Sequence, residues 1–125
     1  MNPMIDKEEI KDSLVEEFHN NGQLKSRGNY KNGKEDGLFE GFFENGQLHQ
    51  KGNFKNGEWD GLFETYHKNG QLQQRSNYKD GKLEGLFVSF YDNGQLKHRE
   101  NYIDGELDGL YETFHENGKP DGLWE

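Results

Sequence analysis

The chain contains no cysteine, which excludes disulfides, thiolate metal sites and a cysteine nucleophile but leaves the compartment open. Aliphatic side chains are scarce as well. Leu, Ile, Val and Phe together make 26 of 125 residues, or 21%, too few to fill a thick two-layer core and barely above the level where disorder is the default. No apolar run approaches the roughly 18–20 residues of a membrane-crossing helix. Bases are outnumbered, 15 against 24 acids, for a formal charge of −9. That balance argues against binding nucleic acid or an anionic membrane by bulk electrostatics, and it suits a basic partner. From Met1 to Asp12 there is no apolar core, and acids stand where a secretory signal would be basic, so a cytoplasmic location is expected.

What the chain has is glycine (17 residues), aromatic side chains (14%) and strict internal repetition. Asn-Gly occurs at Asn21, Asn45, Asn69, Asn93 and Asn117, a spacing of 24 without a break. A second series, Asn32-Gly33, Asn56-Gly57, Asp80-Gly81 and Asp104-Gly105, keeps the same period, and a third glycine follows each of them at Gly37, Gly61, Gly85 and Gly109. Leu38-Phe39-Glu40 and its copies then line up, with Leu14 to Phe18 as a degraded first copy.

Each unit reads as two strands. Asn-Gly is the favoured two-residue type I′ turn, so the first series should close tight hairpins such as Leu38–Glu44 with Gln47–Lys55. The second series, with its extra glycine, should make the wider connection. A tip at Asn45-Gly46 places Glu40 opposite Lys51, Phe39 opposite Gly52 and Phe43 opposite Leu48. It also predicts the pairs Glu16–Arg27, Glu64–Arg75 and Val88–Arg99, so that an acid meets a base in three of four hairpins. The expected fold is all-β: an elongated single-sheet antiparallel meander of repeated hairpins. Residues 1–13 form an acidic arm, in which Pro3–Asp12 allows a short helix. Residues 14–125 form the repeat domain, four full repeats between a degraded N-terminal and a truncated C-terminal cap. At the C-terminal end a strand's worth of sequence is skipped, so Leu123-Trp124 should fold back over the last hairpin near Phe114, with Pro120 at an edge or turn.

The stretch Gly28-Asn29-Tyr30-Lys31-Asn32-Gly33-Lys34-Glu35-Asp36-Gly37-Leu38-Phe39 and its copies, each followed by aromatic residues and Asn-Gly-Gln-Leu, resembles the membrane occupation and recognition nexus (MORN) repeat in its bacterial variant form. The resemblance runs from about Leu14 to the C-terminus. It departs from the pattern where Gly28 and Gly52 become Ser76 and Glu100. It implies a curved sheet of hairpins and, for small proteins of this type, an antitoxin or immunity role; scaffolding and lipid binding are the other roles that it implies.

Residues that could carry chemistry are thinly grouped. His19, His67 and His115 share one repeat position with Phe43 and Tyr91, which calls for a flat ring packed on the sheet. His49 and His98 read as single, solvated residues, and no two histidines have metal-ligand spacing on one element. Ser13, Ser26, Ser76 and Ser89 have no adjacent His–acid pair in the sequence, and a thin sheet offers no cleft to desolvate a carboxylate. No enzyme, metal or cofactor is expected. Arg27, Lys51, Arg75 and Arg99 form a basic row, three of whose members face an acid, so a salt-bridge ladder is its reading. The partner-binding candidates are Glu58, Trp59 and Asp60 with Asp104, Glu106 and Asp108: two loops with five acids and no base around a tryptophan that could anchor a contact or pack beneath its loop. The expected partner is a protein, a basic toxin or effector, with self-association through edge strands as the alternative.

Overall fold

The computed structural model describes residues 13–117 and 119–124. The helix allowed by Pro3–Asp12 lies outside them. Eleven strands form one antiparallel sheet in chain order: β1 (Ser13–Phe18), β2 (Leu24–Lys31), β3 (Lys34–Phe42), β4 (Leu48–Lys55), β5 (Glu58–Tyr66), β6 (Leu72–Lys79), β7 (Lys82–Leu83), β8 (Gly85–Phe90), β9 (Leu96–Ile103), β10 (Glu106–Phe114) and β11 (Pro120–Trp124). β7 and β8 are the two parts of one long strand, both paired with β6 and separated at Glu84. The meander is as expected, and so is the register through the strand bodies: Glu40 pairs with Lys51, Phe39 with Gly52, Glu16 with Arg27 and Val88 with Arg99.

The two kinds of turn are exchanged relative to expectation. At Asn32-Gly33 both residues have positive φ, 52° and 79°, and Lys31 pairs directly with Lys34. The same holds at Asn56, Asp80 and Asp104, so the second series supplies the two-residue type I′ hairpins. In the first series, at Gly22, Gly46, Gly70 and Gly94, only the glycine is left-handed. Gly46 N donates to Phe43 O (2.9 Å) and Phe43 N to Gln47 O (2.8 Å), which makes Glu44-Asn45-Gly46 a three-residue loop ending in a glycine bulge. Phe42, not Phe43, therefore faces Leu48. The bulge restores the lost residue by Gly41, which is why the body of the strand keeps the predicted pairs.

The presumed wide connections are strand. Tyr30 pairs with Glu35 and Gly28 with Phe39, so β3 carries two more residues than β2 over that interval. Gly37 takes φ 100° in this bulge. At the C-terminal end, β11 joins the sheet, with Tyr111 opposite Trp124 and Phe114 opposite Pro120. The chain end thus continues the ladder where a fold-back over the last hairpin was expected; the placement of the Trp124 side chain lies outside the described residues. Pro120 opens the strand, where its missing N–H breaks no internal bond.

A single layer has no interior. Among the described residues no hydrophobic side chain is fully buried. The buried ones are small: Gly28, Gly41, Gly52, Ser76 and Ser89. Rings cover Gly28 and Gly52 from one face, which alternates Val15, Gly28, Phe39, Gly52, Phe63 and Ser76 across successive strands, while the Gln50 side chain covers Gly41. Trp59 stacks on Phe54 (3.9 Å between centroids, 22°), lies 4.6 Å from Phe63 and meets Phe39 edge-on at 6.0 Å. Aromatic pairs of this kind are worth about 0.5–1.5 kcal/mol beyond the area they bury.

Ser76 is fully buried and its Oγ has no hydrogen-bond partner among the described residues. A buried unpaired hydroxyl costs about 1–3 kcal/mol. Ser76→Ala is therefore expected to stabilise the sheet by about 1 kcal/mol and raise Tm by a few degrees. Calorimetry decides, and a lower Tm would mean that the hydroxyl is satisfied.

Candidate protein-interaction site

The strands' two ends form two rows of turns, built differently. Along the three-residue loops, side chains reach from each repeat to the next. The Nε2–H groups of His19 and His67 donate to Phe42 O and Phe90 O, both at 2.8 Å, and Tyr91 Oη donates to Phe114 O at 2.6 Å. Asn21, Asn69 and Asn93 donate their amides to Glu44 O, Asp92 O and Glu116 O. The shared His/Tyr position therefore wants a ring that also donates. Phe43 cannot donate, and it stacks on His49 at 4.3 Å. His49 itself is exposed, as expected.

The type I′ turns form the other row and hold most of the predicted partner-binding residues. Each turn bonds to the one before it: Gly57 N to Glu35 O (2.8 Å), Gly81 N to Trp59 O (3.3 Å) and Gly105 N to Leu83 O (2.9 Å). Two acids of this row have structural work. Asp36 accepts from Asn56 N (3.4 Å) and Glu84 from Asp104 N (2.9 Å), each capping the next turn. Asp60 and Asp108 occupy the same repeat slot. Such capping is a role that the sequence reading missed; the recurrence of an acid one residue before each third glycine is the signal that pointed to it.

The structure separates the six candidates. Glu58 pairs in register with Lys55, and Trp59 is half-buried in the aromatic cluster, so this loop has a base beside its acids. About four strand spacings, roughly 19 Å, lie between it and the last turn. There Asp104, Glu106 and Asp108 are all exposed, with Ile103 in the slot that Lys31, Lys55 and Lys79 fill elsewhere. Ile103 and Leu107 are 51% and 44% exposed. Residues 103–108 thus combine three acids, no base and two exposed aliphatic side chains, whereas residues 31–36 balance two lysines with two acids.

The basic row forms salt bridges, as expected; Arg75 takes its predicted partner, and Arg27 and Arg99 choose others. Arg27 binds Glu40 (2.9 Å), Arg75 binds Glu64 (2.8 Å) and Arg99 binds Glu112. Arg27 and Arg99 thus reach across to the strand after their own, not back to the one before. The hydrogen bond from Arg27 to Glu40, with the charge of that carboxylate, raises the guanidinium's pKa further above its ordinary value. Burial, then the nearby Glu64 carboxylate, pushes the Tyr66 phenol up; burial and Glu100 do the same for Tyr102.

One constellation runs against the sequence reading. Ser89 Oγ lies 2.7 Å from His98 Nδ1, and His98 Nε2 lies 3.1 Å from Glu100 Oε1. The hairpin β8–β9 brings together a serine, histidine and acid that are not adjacent in sequence, and it leaves His98 half-buried against Phe87. Ser89 sits mid-strand between Gln74 and His98, where the ladder uses the backbone N–H groups that an oxyanion would need. The chain of bonds satisfies a buried hydroxyl and a buried ring. Among the described residues no group of three His, Asp or Glu converges on a possible metal position.

The family model described as MORN repeat variant matches five consecutive segments, residues 11–32, 35–56, 59–80, 83–104 and 107–124. Each internal segment spans one hairpin around a three-residue loop and ends at a type I′ turn. Comparison with curated proteins gives no match.

Proposed function

Because the chain belongs to the MORN repeat variant family, we propose that it is a protein-binding module, and more narrowly an antitoxin or immunity protein that neutralises a basic partner by direct contact. The observation that carries this reading is the last type I′ turn, where exposed Ile103 and Leu107 stand among Asp104, Glu106 and Asp108. Ile103 pairs with Glu106 and Leu107 with Tyr102, so the two apolar side chains lie on opposite faces of the edge, each beside the acids, and a partner gripping the turn would desolvate one or both within a steering field. The sheet does not require Ile103 or Glu106, since other repeats place Lys at their slots, whereas Leu107 shares its slot with Trp59 and Leu83, and Asp108 with the capping Asp36 and Glu84. Glu58 and Asp60 extend the negative edge, and Trp59 holds that part of it rigid from beneath.

Co-purification with the product of a neighbouring gene identifies the partner. Reversing Asp104, Glu106 and Asp108 to Lys is then expected to weaken binding at least tenfold, mainly through the association rate and more at low salt than at high. Circular dichroism should stay unchanged, and Tm should fall only slightly, because lysine suits the positive φ of Asp104 (51°) less well than aspartate does. An affinity indifferent to the triple reversal would reduce this edge to a solubilising rim.

A further inference from the structure

We propose that the face opposite the aromatic cluster binds a second copy of this chain, forming a two-sheet sandwich. Leu14, Leu38, Leu62 and Leu86 run across that face, one per repeat, each between 43% and 53% exposed. Their cross-strand partners are exposed too: Asn29, Asn53, Asn77 and Asn101. Two residues along each strand, and so on the same face, lies the ladder Glu16, Arg27, Glu40, Lys51, Glu64, Arg75, Val88, Arg99 and Glu112. Leu38 and Leu62 flank a shallow groove together with Lys51, Asn53 and Glu64.

Charge selects the occupant. The ladder holds four acids and four bases, so this row by itself favours neither a basic nor an acidic partner; the exposed Lys31, Lys55 and Lys79 of the same strands lie beyond the asparagines, towards the type I′ turns. The ladder's alternation does complement itself. A two-fold axis parallel to the strands keeps their direction, so the leucine row meets the leucine row and the ladder meets the ladder, in the aligned packing of sandwiches. Full overlap would oppose like charges, Glu16 to Glu112 and Arg27 to Arg99. An offset of one strand corrects this: Glu16 faces Arg99, Glu40 faces Arg75 and Lys51 faces Glu64. The same offset seats each leucine over the shorter asparagine of the other copy, Leu38 over Asn77 and Leu62 over Asn53. An offset in the other sense has the same parity and sets Leu38 over Asn101. Eight facing strands cover roughly 34 Å by about 20 Å, about 700 Å² per copy, close to the about 800 Å² of a standard interface. The sandwich would also provide the buried apolar layer that the single sheet lacks, and it leaves the type I′ turn edge free.

Sedimentation of the full chain across micromolar to millimolar concentration tests this. The wild type is expected to be a dimer. Leu38→Asp with Leu62→Asp should raise the dimer Kd about 100-fold or more with circular dichroism unchanged, because each copy would bury two unpaired carboxylates. Leu107→Asp, on the turn edge, should leave the dimer intact. Should the double variant fail to fold, the cysteine-free background offers a second measurement. Leu38→Cys mixed with Asn77→Cys or with Asn101→Cys should cross-link through a short bis-maleimide in one of the two mixtures. A monomeric wild type, a dimer indifferent to the double substitution, or no cross-link in either mixture would overturn the proposal.

Discussion

Gly52→Ser is expected to destabilise the protein by about 1–3 kcal/mol, the usual cost of forcing extra atoms into a filled position. A Cβ at Gly52 would lie 2.7 Å from Phe63 Cδ2 and 2.7 Å from Trp59 Cζ3, closer than carbon atoms approach. The repeat supplies its own control. Ser76 occupies the same slot between Phe63 and Phe87, and there the residue in the tryptophan position is Leu83. Phenylalanine beside the slot thus tolerates a serine where it has room to give; at Gly52 the indole adds a second clash and, 4.6 Å from Phe63, keeps that ring from moving aside. In a Trp59→Leu background the cost of Gly52→Ser should fall below about 1 kcal/mol, a coupling that a double-mutant cycle on denaturant melts would measure directly. Equal costs in both backgrounds would mean that Trp59 does not cover this glycine. That result would return Trp59 to the list of free anchors for a partner.

The second large effect separates the two kinds of turn. Gly57→Val is expected to cost about 1–3 kcal/mol, because φ of 83° is strained for a β-branched side chain and the type I′ hairpin has no second way to close. Asn45→Ala should cost less than about 1 kcal/mol. Asn45 has no left-handed backbone to sustain and gives up only its side-chain bond to Gln47 N, 2.9 Å. Were Asn45-Gly46 the type I′ turn, Asn45→Ala would be the more costly of the two, since alanine fits positive φ poorly. Equilibrium unfolding of both variants under one set of conditions settles the order.

The candidate site was legible in part. Asp104, Glu106 and Asp108 could be found because their loop carries three acids and no base, and they are exposed as a group. Grouping them with Glu58 and Asp60 by charge alone missed Lys55, which precedes the second-repeat turn and is paired across it. Ile103, the apolar half of the patch, drew no attention, although a branched aliphatic residue in a lysine slot was visible in the repeats. The Ser89–His98–Glu100 chain was not legible at all: Glu100 reads as a degraded glycine slot, and only pairing β8 with β9 shows what it meets.

The period of 24, the antiparallel order and the register through each strand body were determined by the sequence itself. The physical reason is the two-residue alternation of strands. Glu40 opposite Lys51 and Phe39 opposite Gly52 satisfy that alternation in only one alignment, and a hairpin loop with its compensating bulge cannot change it. Turn type was another matter. Asn-Gly suits a type I′ turn and equally a three-residue loop with a left-handed glycine, so the dipeptide alone does not choose. The choice fell to the stacking of repeats. Bonds from His19, His67, Tyr91 and three asparagines hold the loops of one end together, while backbone hydrogen bonds between successive type I′ turns hold the other. Those contacts join residues 22 or 23 apart, and they exist only once one hairpin lies beside the next.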